Sequence, residues 1–419
     1  MKLNSGYTRN FYLRSLELWI DKPVIKVITG MRRVGKSYLL RQVAEQLRER
    51  GVSEENLHLV DMESVDFDSI VSYRDLVAFL KQRIGPDSGR QYLLIDEVQE
   101  IGQWERAVNS YFKEGNWDIY LTGSNAHLLS SELATLLAGR YVELPVYPLS
   151  LPEFLQFNQV DPSRVQEFFP IYLRCGGFPA IPQFLENEDT VFQYISSLYD
   201  TIILNDIVSR HRVRNVSLFQ NISRFVFDNI GNIFSAKKVA DYLKSQRLEL
   251  SVDTVQNYLG YLTETYALTK VRRYDIKGKR NLEIHEKYYL GDIGLRNALL
   301  GYSDSAINGL LENLVFIELK RRGYRVSIGK LGEAEIDFIA TRDKEKHYYQ
   351  VAYLLASEDT IKREFGVLAA LPDNYPKTVL SMDPLGPDNR EGIAWNNLIE
   401  FLMGWERGQG SGGNRRSRS

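Results

Sequence analysis

The sequence predicts an α/β protein whose leading domain is a parallel sheet built around a phosphate-binding loop. Three observations predict it. Residues 30–37 read G-x-x-x-x-G-K-S, set between an apolar, β-branched run (24–29) and an amphipathic run (37–47). That strand–turn–helix context is the one this loop needs. Residues 91–97 carry an apolar run straight into Asp96 and Glu97. A buried parallel strand that ends in acids delivers them to the carboxyl edge of the sheet, where ligands bind. Residues 117–125 repeat the pattern, an apolar strand closing on Gly123, Ser124 and Asn125.

The loop assigns the first site residues. Gly30, Arg32, Arg33, Val34, Gly35, Lys36, Ser37 and Tyr38 form the expected phosphate cradle, in which glycines let backbone N–H groups close on phosphate oxygens. Lys36 would reach the outer phosphates, and Ser37 would hold Mg²⁺ through its hydroxyl. Leu39, Leu40, Val43, Ala44 and Leu47 fall on one helical face. Asp96 is expected in the Mg²⁺ shell and Glu97 as the group that polarises attacking water. Ser124 or Asn125 would hydrogen-bond the terminal phosphate or its water; the alternative is a turn that only caps the next helix. Residues 130–140 read as a helix ending at Gly139 and Arg140. Arg140 is either a charge at a helix end or a side chain projecting into a neighbour's site. Ahead of the loop, residues 1–22 include a short helix, with Arg9 and Arg14 read as solvated charges; the alternative is contact with the nucleotide or a neighbour.

Composition bounds the rest. The chain has 419 residues, enough for several domains, with 44% hydrophobic and 25% charged residues. Its net charge of −2 restricts any nucleic-acid surface to a local patch. A single cysteine, Cys175, excludes a disulfide framework and a cysteine-based zinc site. No run has the length of a membrane span, so a cytoplasmic location without membrane association is expected.

Further along, residues 149–214 are patterned as helices, broken at Gly176-Gly177-Phe178-Pro179. From 215 the pattern becomes three helices and a hairpin, a winged helix-turn-helix. Lys270, Arg272, Arg273, Lys277, Lys279 and Arg280 crowd the hairpin against one Asp. Such a tip suits phosphate-backbone contact with DNA, whereas Asp253, Gln256 and Asn257 on the third helix offer little base readout. The alternative is a winged helix that packs only on protein.

Residues 310–352 place Glu312 on a helix, Asp337 on a strand beside Glu335, and Gln350 before Ala352 on another strand. Helix Glu, strand Asp, then Gln-x-Ala resembles the PD-(D/E)xK restriction-endonuclease-like fold. Gln350 stands where an acid is usual, and Ala352 where a lysine is needed. Without a lysine to stabilise charge at the attacked phosphate, the centre reads as degenerate and nuclease activity is not expected. Lys362, ten residues after Ala352, could replace it only by entering the site from elsewhere in the chain. Residues 395–405 read as a last helix, and 406–419 as a Gly/Ser-rich basic tail without fixed structure.

The motifs at 28–37, 94–99, 121–125, 137–143, 147–154, 172–179 and 288–296 together resemble the prokaryotic AAA-type ATPases of the AAA_14 plus DUF4143 family. The resemblance implies ATP and Mg²⁺ as cofactors, an oligomeric ring, with a hexamer expected, and Arg140 as an arginine finger. It also frames the expected domains: 1–148 AAA-type ATPase, 149–214 helical lid, 215–300 winged helix-turn-helix, 301–405 DUF4143-like degenerate nuclease fold and 406–419 tail. The expected function is a motor or remodeller of duplex or branched DNA. The alternative is a nucleotide-dependent switch that docks a partner protein.

Overall fold

The computed structural model describes all residues except 1–6, 86–88, 130–136, 138, 249, 387–388 and 410–419. The described chain forms two compact units, one running to Tyr147 with Glu264–Tyr266, the other Pro148–Thr263 and from Ala267 onward.

The first unit holds α1 (Asn10–Glu17), β1 (Ile25–Thr29), α2 (Lys36–Glu49), β2 (Leu57–Asp61), α3 (Tyr73–Lys81), β3 (Gln91–Asp96), α4 (Trp104–Glu114), β4 (Trp117–Gly123) and β5 (Tyr141–Pro145). Its sheet has the order β2-β3-β4-β1-β5, with every pair parallel. β1, β3 and β4 are buried along their whole lengths, as parallel strands covered on both faces must be. The helical stripe read from the sequence is the buried face of α2: Leu39, Leu40, Val43, Ala44 and Leu47. The predicted helix over 130–140 lies mostly outside the described residues.

Arg9 corrects the reading of the lead-in. It is 2% exposed, and its Nη1 donates to the carbonyls of Val34 and Tyr147, both at 2.9 Å. Its guanidinium also lies 4.5 Å over the Tyr12 ring. Arg9 is a buried strut against the phosphate loop, whereas Arg14 faces solvent. Charge alone does not distinguish the two; only the tertiary position of two carbonyls does.

The second unit begins with α5 (Leu151–Phe157), α6 (Val165–Cys175) and α7 (Glu188–Asp200), then α8 (Val216–Asp228), α9 (Ala236–Ser245) and α10 (Val252–Glu264). The hairpin follows as β6 (Leu268–Asp275) and β7 (Arg280–Leu290), then α11 (Ile293–Leu300) and α12 (Ile307–Arg321). The remainder is β8 (Arg325–Leu331), β9 (Ala334–Arg342), β10 (Glu345–Val351), α13 (Glu358–Ala369), β11 (Lys377–Ser381), β12 (Ala394–Asn397) and α14 (Leu398–Gln409).

Two boundary expectations are corrected here. The hairpin does not end a separate domain at residue 300: β6 pairs in parallel with β8, giving a seven-stranded sheet ordered β12-β11-β10-β9-β8-β6-β7. Hairpin patterning is local, but the β6–β8 pairing is not, so the sequence shows the turn and hides the edge it joins. Trp395, expected in the last helix, lies in β12, where its Nε1 donates to Ser381 Oγ at 2.8 Å. The helix starts after Asn397, whose side chain accepts from the backbone N–H of Ile399 and Glu400. Most of the expected tail, from residue 410, lies outside the described residues.

Candidate nucleotide-binding site

The loop between β1 and α2 is shaped by backbone constraints only glycine meets at two points. Gly30 has φ +145°, and a Cβ there would stand 2.3 Å from the Val146 carbonyl oxygen. Gly35, at φ +96°, is the residue before α2, and no side chain caps the helix. The first-turn N–H groups of α2 therefore stay available to an anion. Arg33, at φ +67°, is exposed on the same turn.

Around this loop the structure brings together the residues read from three separate strands. Lys36 is 3% exposed; its Nζ donates to the Met31 carbonyl at 3.1 Å and lies 3.5 Å from Glu97 Oε1. Thr122 donates through its hydroxyl to Asp96 Oδ1, and Ser37 lies beside the same carboxylate. Ser124 Oγ donates to Glu97 Oε2 at 2.9 Å, and Gln99 donates to the same oxygen. The Glu97 N–H donates to Thr122 Oγ1 at 2.9 Å, which holds Glu97 in a left-handed conformation with φ +51°. Asn125 is buried next to Ser124.

The two acids are set apart electrostatically. Burial pushes the Asp96 carboxyl above its ordinary value, with Glu97 and Asp61 adding repulsion against the opposing hydrogen bonds of Ser37 and Thr122. Burial acts upward on Glu97 too, but Lys36, Gln99 and Ser124 outweigh it and hold that carboxyl below its ordinary value. Glu97 is thus kept ionised beside the loop. Gln99 and Thr122 were not singled out from the sequence. Both sit two residues from a predicted site residue, and alternation along β4 is the only signal that points Thr122 toward Asp96.

Arg140 lies elsewhere. Its backbone carbonyl accepts from Ile25 N–H, at the start of β1, and its Nη1 donates to Asn109 Oδ1 at 2.6 Å. Ile25 and Gly30 mark opposite ends of β1, so Arg140 is on the edge of the sheet away from its own loop. Of the hairpin residues, Arg272, Lys277, Lys279 and Arg280 are exposed and Arg273 is half-buried, while Lys270 pairs with Glu286 at 2.5 Å. Glu312 and Asp337 come together with Glu335, and Gln350 accepts from the Asp337 N–H at 3.3 Å. Lys362 is exposed on α13 and is not part of that group.

Residues 22–155 match the AAA domain family AAA_14. The class defined by fold and site is therefore a protein with an AAA domain. Residues 166–306 match a domain of unknown function, DUF8612. An uncharacterized protein of Haemophilus influenzae is 37% identical over 398 residues, covering 94% of this chain and 98% of that protein. The chain belongs to the family of this protein. An uncharacterized protein of Methanocaldococcus jannaschii is 28% identical over 411 residues, covering 94% of this chain and 90% of that protein. Among solved structures, the chain resembles the Aeropyrum pernix ORC1 protein in complex with DNA (12% identity, TM-score 0.35, 70% of this chain and 92% of that one). It also resembles AMPPCP-bound DnaA of Aquifex aeolicus (13% identity, TM-score 0.31, 62% and 90%). Among the described residues, no helix is long and apolar enough to cross a membrane.

Proposed function

We propose that the protein is an ATP-hydrolysing AAA-type oligomer that acts on DNA. The observation that carries this reading is the meeting of Lys36, Ser37, Asp96, Glu97 and Ser124 at one sheet edge, around a loop whose Gly30 leaves no room for a Cβ. The residues fit nucleotide and Mg²⁺. The N-terminus of α2, Gly30, Arg32, Arg33, Val34, Gly35 and Tyr38 would surround the phosphates, and Ser37 with Asp96 would hold the cation, which supplies charge neutralisation to the transferring phosphate. Lys36 contributes a fixed positive charge, and Ser124 orients Glu97. Glu97, kept ionised, is the proton acceptor for water. The far-edge location of Arg140 supports action in a neighbouring subunit, hence the ring or hexamer.

For DNA, the support is the exposed basic tip of the hairpin, Lys277, Lys279 and Arg280, with Arg272 alongside. Helices α8–α10 with this hairpin are our winged helix, and the carboxyl sheet is our DUF4143-like, nuclease-related fold. Both would serve as DNA-backbone contacts. The test is steady-state ATP hydrolysis with duplex, single-stranded and four-way-junction DNA at two salt concentrations. Salt-sensitive stimulation, lost in Lys277→Ala/Lys279→Ala/Arg280→Ala, is expected. Hydrolysis indifferent to every DNA form would favour the nucleotide-dependent switch that docks a protein.

A further inference from the structure

The carboxylate group of the second unit has an occupant. Lys287, on β7, is 3% exposed, and its Nζ lies 2.9 Å from Glu312 Oε1, 2.7 Å from Glu335 Oε1 and 3.9 Å from Asp337 Oδ1. It thus faces acids from α12 and from both adjacent positions on one face of β9. The remaining polar capacity is largely taken. Tyr289 donates to Glu312, Val351 N–H donates to Asp337 Oδ2 at 2.8 Å, and Gln350 is engaged by the Asp337 backbone. The position expected to carry a lysine is closed: Ala352 is buried in a core cluster with Ile276, Ile336 and Tyr348.

We infer that Lys287 is a built-in cation standing where a nuclease of this fold would hold its metal, and that the centre has become the anchor of the basic hairpin. A divalent cation at these oxygens would meet an ammonium at hydrogen-bonding distance from two of its three carboxylate ligands. The residues as arranged do not fit a metal, and among the described residues no group of three His, Cys, Asp or Glu side chains is placed to hold one. Burial and the neighbouring Glu312 push Asp337 well above the carboxylate range. Burial opposes the charge on Lys287, but Glu312, Asp337 and Glu335 overcome it and raise its pKa. The anchor has a mechanical role as well. Lys287 belongs to the strand that begins at Arg280, so the same β-strand that ends in the basic tip is pinned at its other end to α12 and β9.

Lys287 and its acids are tested without nucleotide, apart from any ATPase activity. Mn²⁺ binding to the nucleotide-free full chain is measured by equilibrium dialysis, for wild type, Asp337→Asn, Lys287→Met and Lys287→Gln. Glu335 Oε2, a buried oxygen without a hydrogen-bond donor, becomes a ready ligand once the ammonium is gone. Lys287→Met should bind Mn²⁺ about tenfold or more tighter than wild type, and Lys287→Met/Asp337→Asn should return to the wild-type level. Lys287→Gln keeps hydrogen-bond donors in the group and supplies the same comparison if the Met variant does not fold. Wild-type binding that disappears in Asp337→Asn would overturn the inference, since the centre would then be a metal site with Lys287 as its partner. Folded Lys287 variants with no gain in Mn²⁺ affinity would overturn it equally.

Discussion

Replacing Arg9 should loosen the phosphate loop from a distance. The guanidinium is buried and spans two elements, holding the Val34 carbonyl inside the loop and the Tyr147 carbonyl at the end of the unit. Tyr12 reinforces the second point, since its hydroxyl accepts from the Tyr147 N–H at 3.0 Å. A hydrogen bond from a charged group contributes about 1.5–3 kcal/mol, and truncation would leave the buried Val34 carbonyl and the part-buried Tyr147 carbonyl without this donor. Arg9→Met, which keeps most of the length and apolar contact, should therefore cost about 3–5 kcal/mol. Urea unfolding followed by tryptophan fluorescence reads this directly, because Trp104 and Trp117 are buried in the same unit. The loop position should suffer too, with affinity for a fluorescent ATP analogue falling about tenfold. An Arg9→Met protein with an unchanged urea midpoint would refute the strut. A destabilised protein with unchanged nucleotide affinity would refute its link to the loop.

Arg140→Ala should leave ATP binding intact and stop turnover, and mixing it with Glu97→Gln subunits should restore activity if Arg140 acts in trans; equal inactivity of mixture and components would argue against that. His347 makes the second unit acid-sensitive. Burial lowers its pKa from 6.5 to about 4, so the folded form stays neutral where the unfolded chain binds a proton. Stability is complete above the unfolded value, falls as pH drops through 6.5, and by pH 4 has lost about 3 kcal/mol. His347→Gln, measured by urea unfolding from pH 7.5 to 4, should flatten that part of the profile.

What could be read from the sequence follows the range of the interactions concerned. Lys36, Ser37, Asp96, Glu97 and Ser124 sit at ends of buried strands, and strand ends are visible as apolar runs closing on polar residues. Their convergence follows from parallel strand geometry, so the site was legible. Arg9 was not, because its partners are carbonyls 25 and 138 positions away. Lys287 was missed for the same reason. It sits in a strand next to Tyr288 and Tyr289 and looks like an ordinary charge on an alternating hairpin until β6 pairs with β8 and α12 covers it. Proximity in the chain points from Ala352 to Lys362, whereas the lysine beside these acids, Lys287, is brought there by the fold. Asn397 is the milder case: an apolar, aromatic run beginning at Trp395 suits a helix, and only the pairing of Ala394–Asn397 with β11 moves the start of that helix.

The measurement that tests the central claim most directly is ATP binding and hydrolysis side by side in wild type, Lys36→Ala and Glu97→Gln. Wild type should bind and turn over ATP with Mg²⁺. Lys36→Ala should bind weakly, and Glu97→Gln should bind as well as wild type while hydrolysing at least about a hundredfold more slowly. Wild-type turnover in Glu97→Gln would contradict the role of that carboxylate. A wild-type protein that neither binds nor hydrolyses ATP would contradict the account as a whole.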